Sequence, residues 1–197
     1  MEDYKKYFDA NQDLWNKKTP VHLKSEFYDN ENFIKTKNSL KEIELSELPD
    51  LNGKSILHLQ CHFGQDSISL ANRGAKVTAT DISPDAISAA CELAKKTEIE
   101  VDFRVCNTYD VANQIKGEFD IVFATYGTIC WLPDLEPWAE VIKAKLKPGG
   151  SLYLIEFHSF IDMLNDDYND FGYPYFNEGV LTGDYEATYA DTNAKID

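Results

Sequence analysis

The chain has 197 residues, 43% of them hydrophobic and 27% charged, with a formal net charge of −15. That composition is ordinary for a globular domain with a core of its own. A surface this acidic repels phosphate backbones and anionic membranes, so nucleic acid is not an expected partner. No apolar run reaches membrane-spanning length, and MEDYKKYFDA lacks the basic start and apolar stretch of a secretory signal. The cysteines Cys61, Cys91, Cys106 and Cys130 show neither paired metal spacing nor a disulfide framework. Free thiols in a reducing cytoplasm are the expectation.

Residues 1–50 are polar and read as helical in pieces. In DYKKYFDANQDLW the aromatic and apolar residues recur at roughly helical spacing, and Thr19-Pro20 is expected to break that helix. SLKEIELSELPD is a second candidate, with Leu40, Ile43, Leu45 and Leu48 as an imperfect stripe that Pro49 and Asn52-Gly53 end. A regular alternation follows. Ser55 to Gln60 reads as a strand, about Gln65 to Asn72 as a helix, and KVTATD, ending at Asp81, as a strand. SPDAISAACELAKKT reads as a helix, with Ser83 as N-cap, Pro84 in the first helical position and Asp85 at the positive dipole end. VDFRVC is a third strand. FDIVFAT, Phe119 to Thr125, is nearly continuous in apolar character, as a central parallel strand covered on both faces should be. DLEPWAEVIKAKL is a helix ending in Lys147-Pro148-Gly149-Gly150, and SLYLIEF a fifth strand.

Strands alternating with helices imply right-handed crossovers and a doubly wound, mostly parallel α/β sheet with helices on both faces. Three regions follow: an N-terminal helical lid or cap over 1–50, a core over 51–157, and an acidic, loop-rich segment over 158–197. The last carries Asp162, Asp166, Asp167, Asp170, Glu178, Asp184, Glu186, Asp191 and Asp197 against one base, Lys195.

Ligands in such sheets bind beyond the carboxyl ends of the strands, which directs attention to the residues just after each one. The first strand runs into His58-Leu59-Gln60-Cys61-His62-Phe63-Gly64. Its backbone N–H groups and the following helix N-terminus make a donor-rich concavity for a carboxylate or phosphate, though a plain turn with one glycine would look the same. Asp81 ends the second strand, where an acid can accept from both ribose hydroxyls or simply neighbour a helix cap. Cys106-Asn107-Thr108 follow the third, and an Asn side chain matches an adenine edge or forms a turn. Thr125-Tyr126-Gly127 and the apolar loop through Trp131 follow the fourth, where a substrate would meet a cofactor or aromatic residues would pack.

The order of these elements over about residues 53–157 resembles a class I S-adenosylmethionine-dependent methyltransferase. The features that carry the resemblance are DIS with Asp81, Asn107, FDIVFATYGTICWLPD and LKPGGSLYLIEFH. LWNKKTPVHLKSEFYDN with HLQCHFGQDS further looks like a bacterial subgroup acting on small molecules. The resemblance implies a Rossmann-like fold and S-adenosylmethionine as cofactor. It implies that Gln60, His62 and Gly64 hold the methionine portion, Asp81 the ribose, Ile82, Asn107 and Thr108 the adenine end, and Thr125 and Tyr126 the sulfonium. The family's first loop has an acid followed by three alternating glycines. Here His58 takes the acid position, Gln60 and His62 the first two glycine positions, and Gly64 the third.

The function so implied is methyl transfer by in-line displacement to a small-molecule acceptor. If the acceptor needs deprotonation, His158 is the first candidate base, followed by Glu156 or Tyr126. Trp15, His22 and Tyr28 would belong to a lid over the cofactor. The strand pair that usually completes the family's sheet has no counterpart after Phe157, so one sheet edge would be uncovered, leaving a homodimer open.

Three other readings compete with this one. A zinc site at His58, Cys61 and His62 would need ligands that strand alternation points to different faces. A nicotinamide dehydrogenase would need a G-x-G-x-x-G turn, which QCHFGQD lacks. A nonenzymatic nucleoside- or partner-binding module derived from the same fold is the alternative.

Overall fold

Five parallel strands carry the chain: Ser55–Leu59 (β1), Lys76–Asp81 (β2), Asp102–Val105 (β3), Phe119–Thr125 (β4) and Leu146–Ile155 (β5). Their order in the sheet is β3-β2-β1-β4-β5. The order reverses beside β1, so the crevice between β1 and β4 is the ligand position that doubly wound sheets favour. The structure is a computed structural model that describes residues 4–165, 168–176, 179–180, 183 and 187–196. Of the acidic residues expected to mark the C-terminal segment, Asp166, Asp167, Glu178, Asp184, Glu186 and Asp197 lie outside the described residues.

Among the described residues seven α-helices accompany the sheet: α1 (Lys5–His22), α2 (Asn30–Thr36), α3 (Glu42–Glu47), α4 (Gln65–Asn72), α5 (Pro84–Thr97), α6 (Val111–Gln114) and α7 (Leu135–Lys145). Successive side chains of β1 and β4 point to opposite faces. Leu57, Leu59, Val122 and Ala124 pack with Trp138, Val141 and Ile142 of α7. Ile56, Ile121 and Phe123 pack the other way, with Leu70 of α4 and Ile87 of α5. A sheet buried on both faces explains why FDIVFAT shows no polar alternation.

Three expectations are corrected. Helix α1 runs through Thr19-Pro20 to His22. Pro20 removes one N–H only in the last turn, while the Thr19 hydroxyl donates to the Trp15 carbonyl and Thr19 and His22 are buried; packing outweighs the local preference of a residue before proline. The second helix is shorter than its apolar stripe. Ile43 and Leu45 are exposed, and Glu44 is the buried residue of α3. Finally, Lys147-Pro148-Gly149-Gly150 belongs to β5 and does not form a helix end. β5 is an edge strand, where a proline costs no ladder bond, and its register with β4 shifts between Phe119 and Ile121. Lys147 donates to the Asp120 carboxylate at 2.9 Å and to the Ser55 hydroxyl at 3.0 Å. The Ser55 N–H also donates to Asp120, and together with Lys147 it holds that carboxyl well below the usual range. The lysine of this segment therefore joins the starts of β1, β4 and β5.

Gly64 caps α4 with a left-handed φ of 81°. A Cβ there would lie 2.5 Å from the Phe103 ring and 3.1 Å from Ala90 Cβ. Gly53 has a similar φ of 73° with nothing within 4 Å of the Cβ position. Gly64→Ala is expected to cost about 2–4 kcal/mol, from backbone strain plus overpacking, and Gly53→Ala only about 1–2 kcal/mol from strain. Urea unfolding of the two variants measures the difference. Equal costs would mean that the Phe103 ring moves aside freely.

Candidate functional site

The turn after β1 turns three times through the left-handed region. Gln60 has φ 54°, His62 φ 50° and Gly64 φ 81°. These are the three positions at which the family resemblance expects glycine. The chain keeps that path with side chains at two of them, at a strain of about 1–2 kcal/mol each. The loop is held from outside. Asp81, at the end of β2, accepts the His62 N–H at 2.8 Å and the Ser83 N–H at 2.9 Å. The Cys61 N–H donates to the Thr80 carbonyl at 2.9 Å.

Above this loop lies a cavity of about 940 Å³. It opens beyond the carboxyl ends of β1, β2 and β4, and a smaller one of about 290 Å³ adjoins it at Ile82 and Asn107. Gln60, His62, Gly64, Asp81, Ile82, Asn107, Thr108, Thr125 and Tyr126 all line the larger cavity. His158 does not line it. That residue is exposed, and its Nδ1 accepts the Phe160 N–H at 3.2 Å.

Burial decides the state of the polar groups here. Asp81 is only 8% exposed, and burial pushes its carboxyl up to about 6 against the pull of its hydrogen bonds. His58, in the position where the family has an acid, is buried, bonds Ser67 Oγ at 2.7 Å and meets the Phe123 ring edge-on. Burial lowers its pKa to about 3, so it is a neutral member of the wall. Asn107 uses its carbonyl oxygen on the Tyr109 N–H, which leaves its NH₂ to offer a ligand.

Tyr126 has a left-handed φ of 60°, and its hydroxyl donates to Glu44 at 2.6 Å. Burial raises its pKa, and Glu44 adds to that, so it remains a phenol. Glu156 is fully engaged: the N–H groups of Gly127, Thr128 and Ile129 and the Thr128 hydroxyl all donate to it within 2.8 Å. Burial alone would raise its pKa, but these donors outweigh it and hold the carboxyl below the usual range. It anchors the loop after β4.

The N-terminal residues close one side. His22 Nδ1 lies 2.8 Å from His62 Nε2, and His22 Nε2 lies 2.5 Å from Thr188 Oγ1. Burial and the Lys18 charge lower the pKa of His22 to about 4. Trp15 meets the His62 and Trp131 rings edge-on at 5.2 and 5.3 Å. Lys18 is buried against the same two indoles, 5.1 Å from each ring, and burial lowers its pKa to about 8.

Three wall atoms are buried with no hydrogen-bond partner among the described residues: Gln60 Oε1, His62 Nδ1 and Thr108 Oγ1. Gln60 spends its NH₂ on the Thr128 carbonyl, and Thr108 is 6% exposed. Orphaned buried polar atoms cost about 1–3 kcal/mol, and here they border a cavity large enough for a nucleoside. That donor and acceptor set fits an adenosine-bearing cofactor. Among the described residues no three His, Cys, Asp or Glu side chains gather as a metal site. No described helix is long and apolar enough to cross a membrane.

Sequence reading missed Asp66 and Glu44. Asp66 lines the cavity from the first turn of α4, and an acid there reads as an ordinary complement to the helix dipole. Glu44 reads as an exposed residue between Ile43 and Leu45, yet it is 1% exposed beneath Tyr126.

Residues 56–150 match a family described as a methyltransferase domain. A ubiquinone biosynthesis O-methyltransferase of Xanthomonas oryzae is 34% identical over 105 residues, which are 53% of this chain and 44% of that protein. The counterpart from Xanthomonas euvesicatoria is 33% identical over the same shares. The chain thus spans about half the length of the curated relatives it matches. Among solved structures, the magnesium protoporphyrin IX methyltransferase from Synechocystis, with bound S-adenosylmethionine, superposes with a TM-score of 0.55 at 18% identity, covering 72% of each chain. An S-adenosylmethionine-dependent methyltransferase from Mesorhizobium loti gives 0.55 at 19% identity, covering 62% of this chain and 55% of that one. At those identities the two structures speak for the fold alone. Residues 56–150, just under half of the chain, thus match a methyltransferase domain, and the chain shares the fold of S-adenosylmethionine-dependent methyltransferases.

Proposed function

We propose that the chain transfers a methyl group from S-adenosylmethionine to a small-molecule acceptor. The observation that carries this is the left-handed path at Gln60, His62 and Gly64, pinned by Asp81 beneath a nucleoside-sized cavity. When bound, S-adenosylmethionine supplies a methyl group already activated on a sulfonium. The loop from Gln60 to Gly64 and the N-terminus of α4 receive the methionine end. Asp81 accepts from the ribose hydroxyls through lone pairs that His62 and Ser83 leave free. Ile82 and Thr108 border the adenine, and the Asn107 NH₂ donates to its edge. Thr125 and Tyr126 face the methyl group.

These residues act by position and by excluding water, which suffices for an activated donor. The protonated Tyr126 hydroxyl donates and does not serve as a base. His158 is left to an acceptor that projects past Phe157, the neighbouring residue on the cavity wall. The description of the Xanthomonas relatives favours a small molecule over a macromolecule as acceptor.

S-adenosylhomocysteine should bind with micromolar affinity in calorimetric titration, and Asp81→Asn should weaken it by about 10- to 100-fold while the chain stays folded. The ribose hydroxyls need an ionised acceptor, so affinity rises as pH climbs through about 6. At pH 5 about a tenth of Asp81 is ionised, and affinity should be about tenfold below its limit. Asp81→Asn should flatten that profile. Folding stability runs the other way. A carboxyl raised in the folded state contributes stability that is complete below its ordinary pKa and lost as pH rises through about 6. A folded chain that ignores the ligand at every pH would sink the reading, and binding without turnover would favour a nonenzymatic module.

We assign Trp15, His22 and Tyr28 to a lid over the methionine end, on the strength of their contacts with His62. Trp15→Ala should weaken S-adenosylhomocysteine about tenfold, mainly through faster release. Unchanged affinity in the same titration would remove the lid role.

A further inference from the structure

We infer that the corner of the cavity formed by Asp66, Thr125 and Tyr126 is the acceptor subsite, and that it takes an amine bound as its cation, whose proton passes to the Asp66 carboxylate so that the nitrogen lone pair is free to accept the methyl group. This rests on the methyl-transfer reading above and adds the chemical class of the second substrate. Three observations converge on it.

The first is hydrogen-bond accounting at Asp66. Its Oδ1 accepts the Ser39 hydroxyl at 2.5 Å. The nearby Ser69 hydroxyl gives its proton to the Gln65 carbonyl and accepts the Ser39 N–H, so it does not compete. Among the described residues Oδ2 has only the Thr125 hydroxyl, at 3.4 Å. An ionised carboxylate can accept about four hydrogen bonds, and the protein supplies this one with a single short one. Asp66 faces the same cavity as the cofactor loop, two residues from Gly64, next to the end of β4 where the methyl group would lie.

The second is local charge. Glu44 lies behind Tyr126 with both oxygens in use, one on the Tyr126 hydroxyl and one on the Lys41 N–H. The Lys41 ammonium stands 4.1 Å from the Tyr126 ring centroid. Two carboxylates thus face one ammonium. Burial, with Glu44 adding, raises the pKa of Asp66, which is the response of a carboxylate lacking a full counter-charge. A ligand cation on Oδ2 supplies that charge and the missing donors together.

The third is the wall. Tyr28, Phe33 and Tyr126 line the cavity beside Asp66. Aromatic faces attract cations that have been withdrawn from water, and they pack an apolar body equally well. The net charge of −15 also steers cations toward the protein as a whole.

The sulfonium of the cofactor is a cation too, so the test removes it. The chain is saturated with S-adenosylhomocysteine, whose sulfur is neutral, and titrated with tyramine and with tyrosol, the alcohol of the same shape. Tyramine should bind at least about tenfold more tightly, as one charge-assisted hydrogen bond requires. Asp66→Asn should erase that ratio, and its own titration with S-adenosylhomocysteine reports that the cavity is still formed. Equal binding of the two probes, or of neither, overturns the amine subsite and leaves the cofactor reading standing. An Asp66→Asn variant that loses affinity for S-adenosylmethionine but not for S-adenosylhomocysteine, with no preference for tyramine, would assign the corner to the sulfonium instead. Failure of the unsubstituted chain to bind S-adenosylhomocysteine would overturn the methyl-transfer reading first and this inference with it.

Discussion

The hydrogen bond from the His62 N–H to the Asp81 carboxylate, 2.8 Å long, is the constraint on which the site depends. The loop after β1 takes a path that costs strain at Gln60 and His62, because both carry a Cβ in the left-handed region. Something outside the loop must offset that strain. Asp81 does so from the end of the neighbouring strand, where parallel pairing sets Leu59 against Thr80. The same carboxylate holds the Ser83 N–H at the start of α5. One buried acid thereby aligns a loop, a strand end and a helix start, and the cavity floor follows from their alignment.

The arrangement above the floor follows from the same economy of polar groups. Glu156 gathers four donors from residues 127–129 and turns the segment after β4 toward the cavity. Tyr126, turned by its own left-handed backbone, reaches back to Glu44 of α3. His22 links α1 to the loop at His62 and to Thr188 near the other end of the chain. Segments that are far apart in sequence meet on polar contacts whose geometry is specific, while the sheet beneath them is held by non-directional apolar packing. Substitutions in the core should therefore change stability broadly, and substitutions at these few contacts should change the shape of the site.

The departure from a glycine-rich loop has a physical resolution. Glycine is one way to reach a left-handed backbone, and external hydrogen bonds are another. Gly64 is the position where no alternative exists, and the reason is Phe103 of β3, whose ring fills the space that a Cβ would need. The side chains gained at the other two positions do work that glycine could not. Gln60 bonds the Thr128 carbonyl across the cavity, and His62 forms the meeting point for Trp15, His22 and Tyr28.

Periodicity and turn chemistry by themselves determined the sheet. The bounds of β2, α4 and β4 read from the sequence agree with the structure, because the hydrophobic pattern and the caps are local signals. Strand-end position likewise directed attention to Gln60, His62, Asp81, Asn107, Thr108, Thr125 and Tyr126, which line the cavity, since parallel topology brings all strand ends to one edge; Ile82 came from the family resemblance. What a side chain does once there was decided only by tertiary structure. His158 directly follows the fifth strand as read from the sequence, SLYLIEF, but β5 ends at Ile155 and His158 is exposed, whereas Tyr126 directly follows β4 and lines the cavity. Glu156 reads as a base and is in fact consumed by four donors. Asp66 and Glu44 read as surface acids, yet Asp66 is half-buried in the cavity wall and Glu44 is buried. Hydrogen-bond partners and burial depend on residues tens of positions away, and no local pattern encodes them.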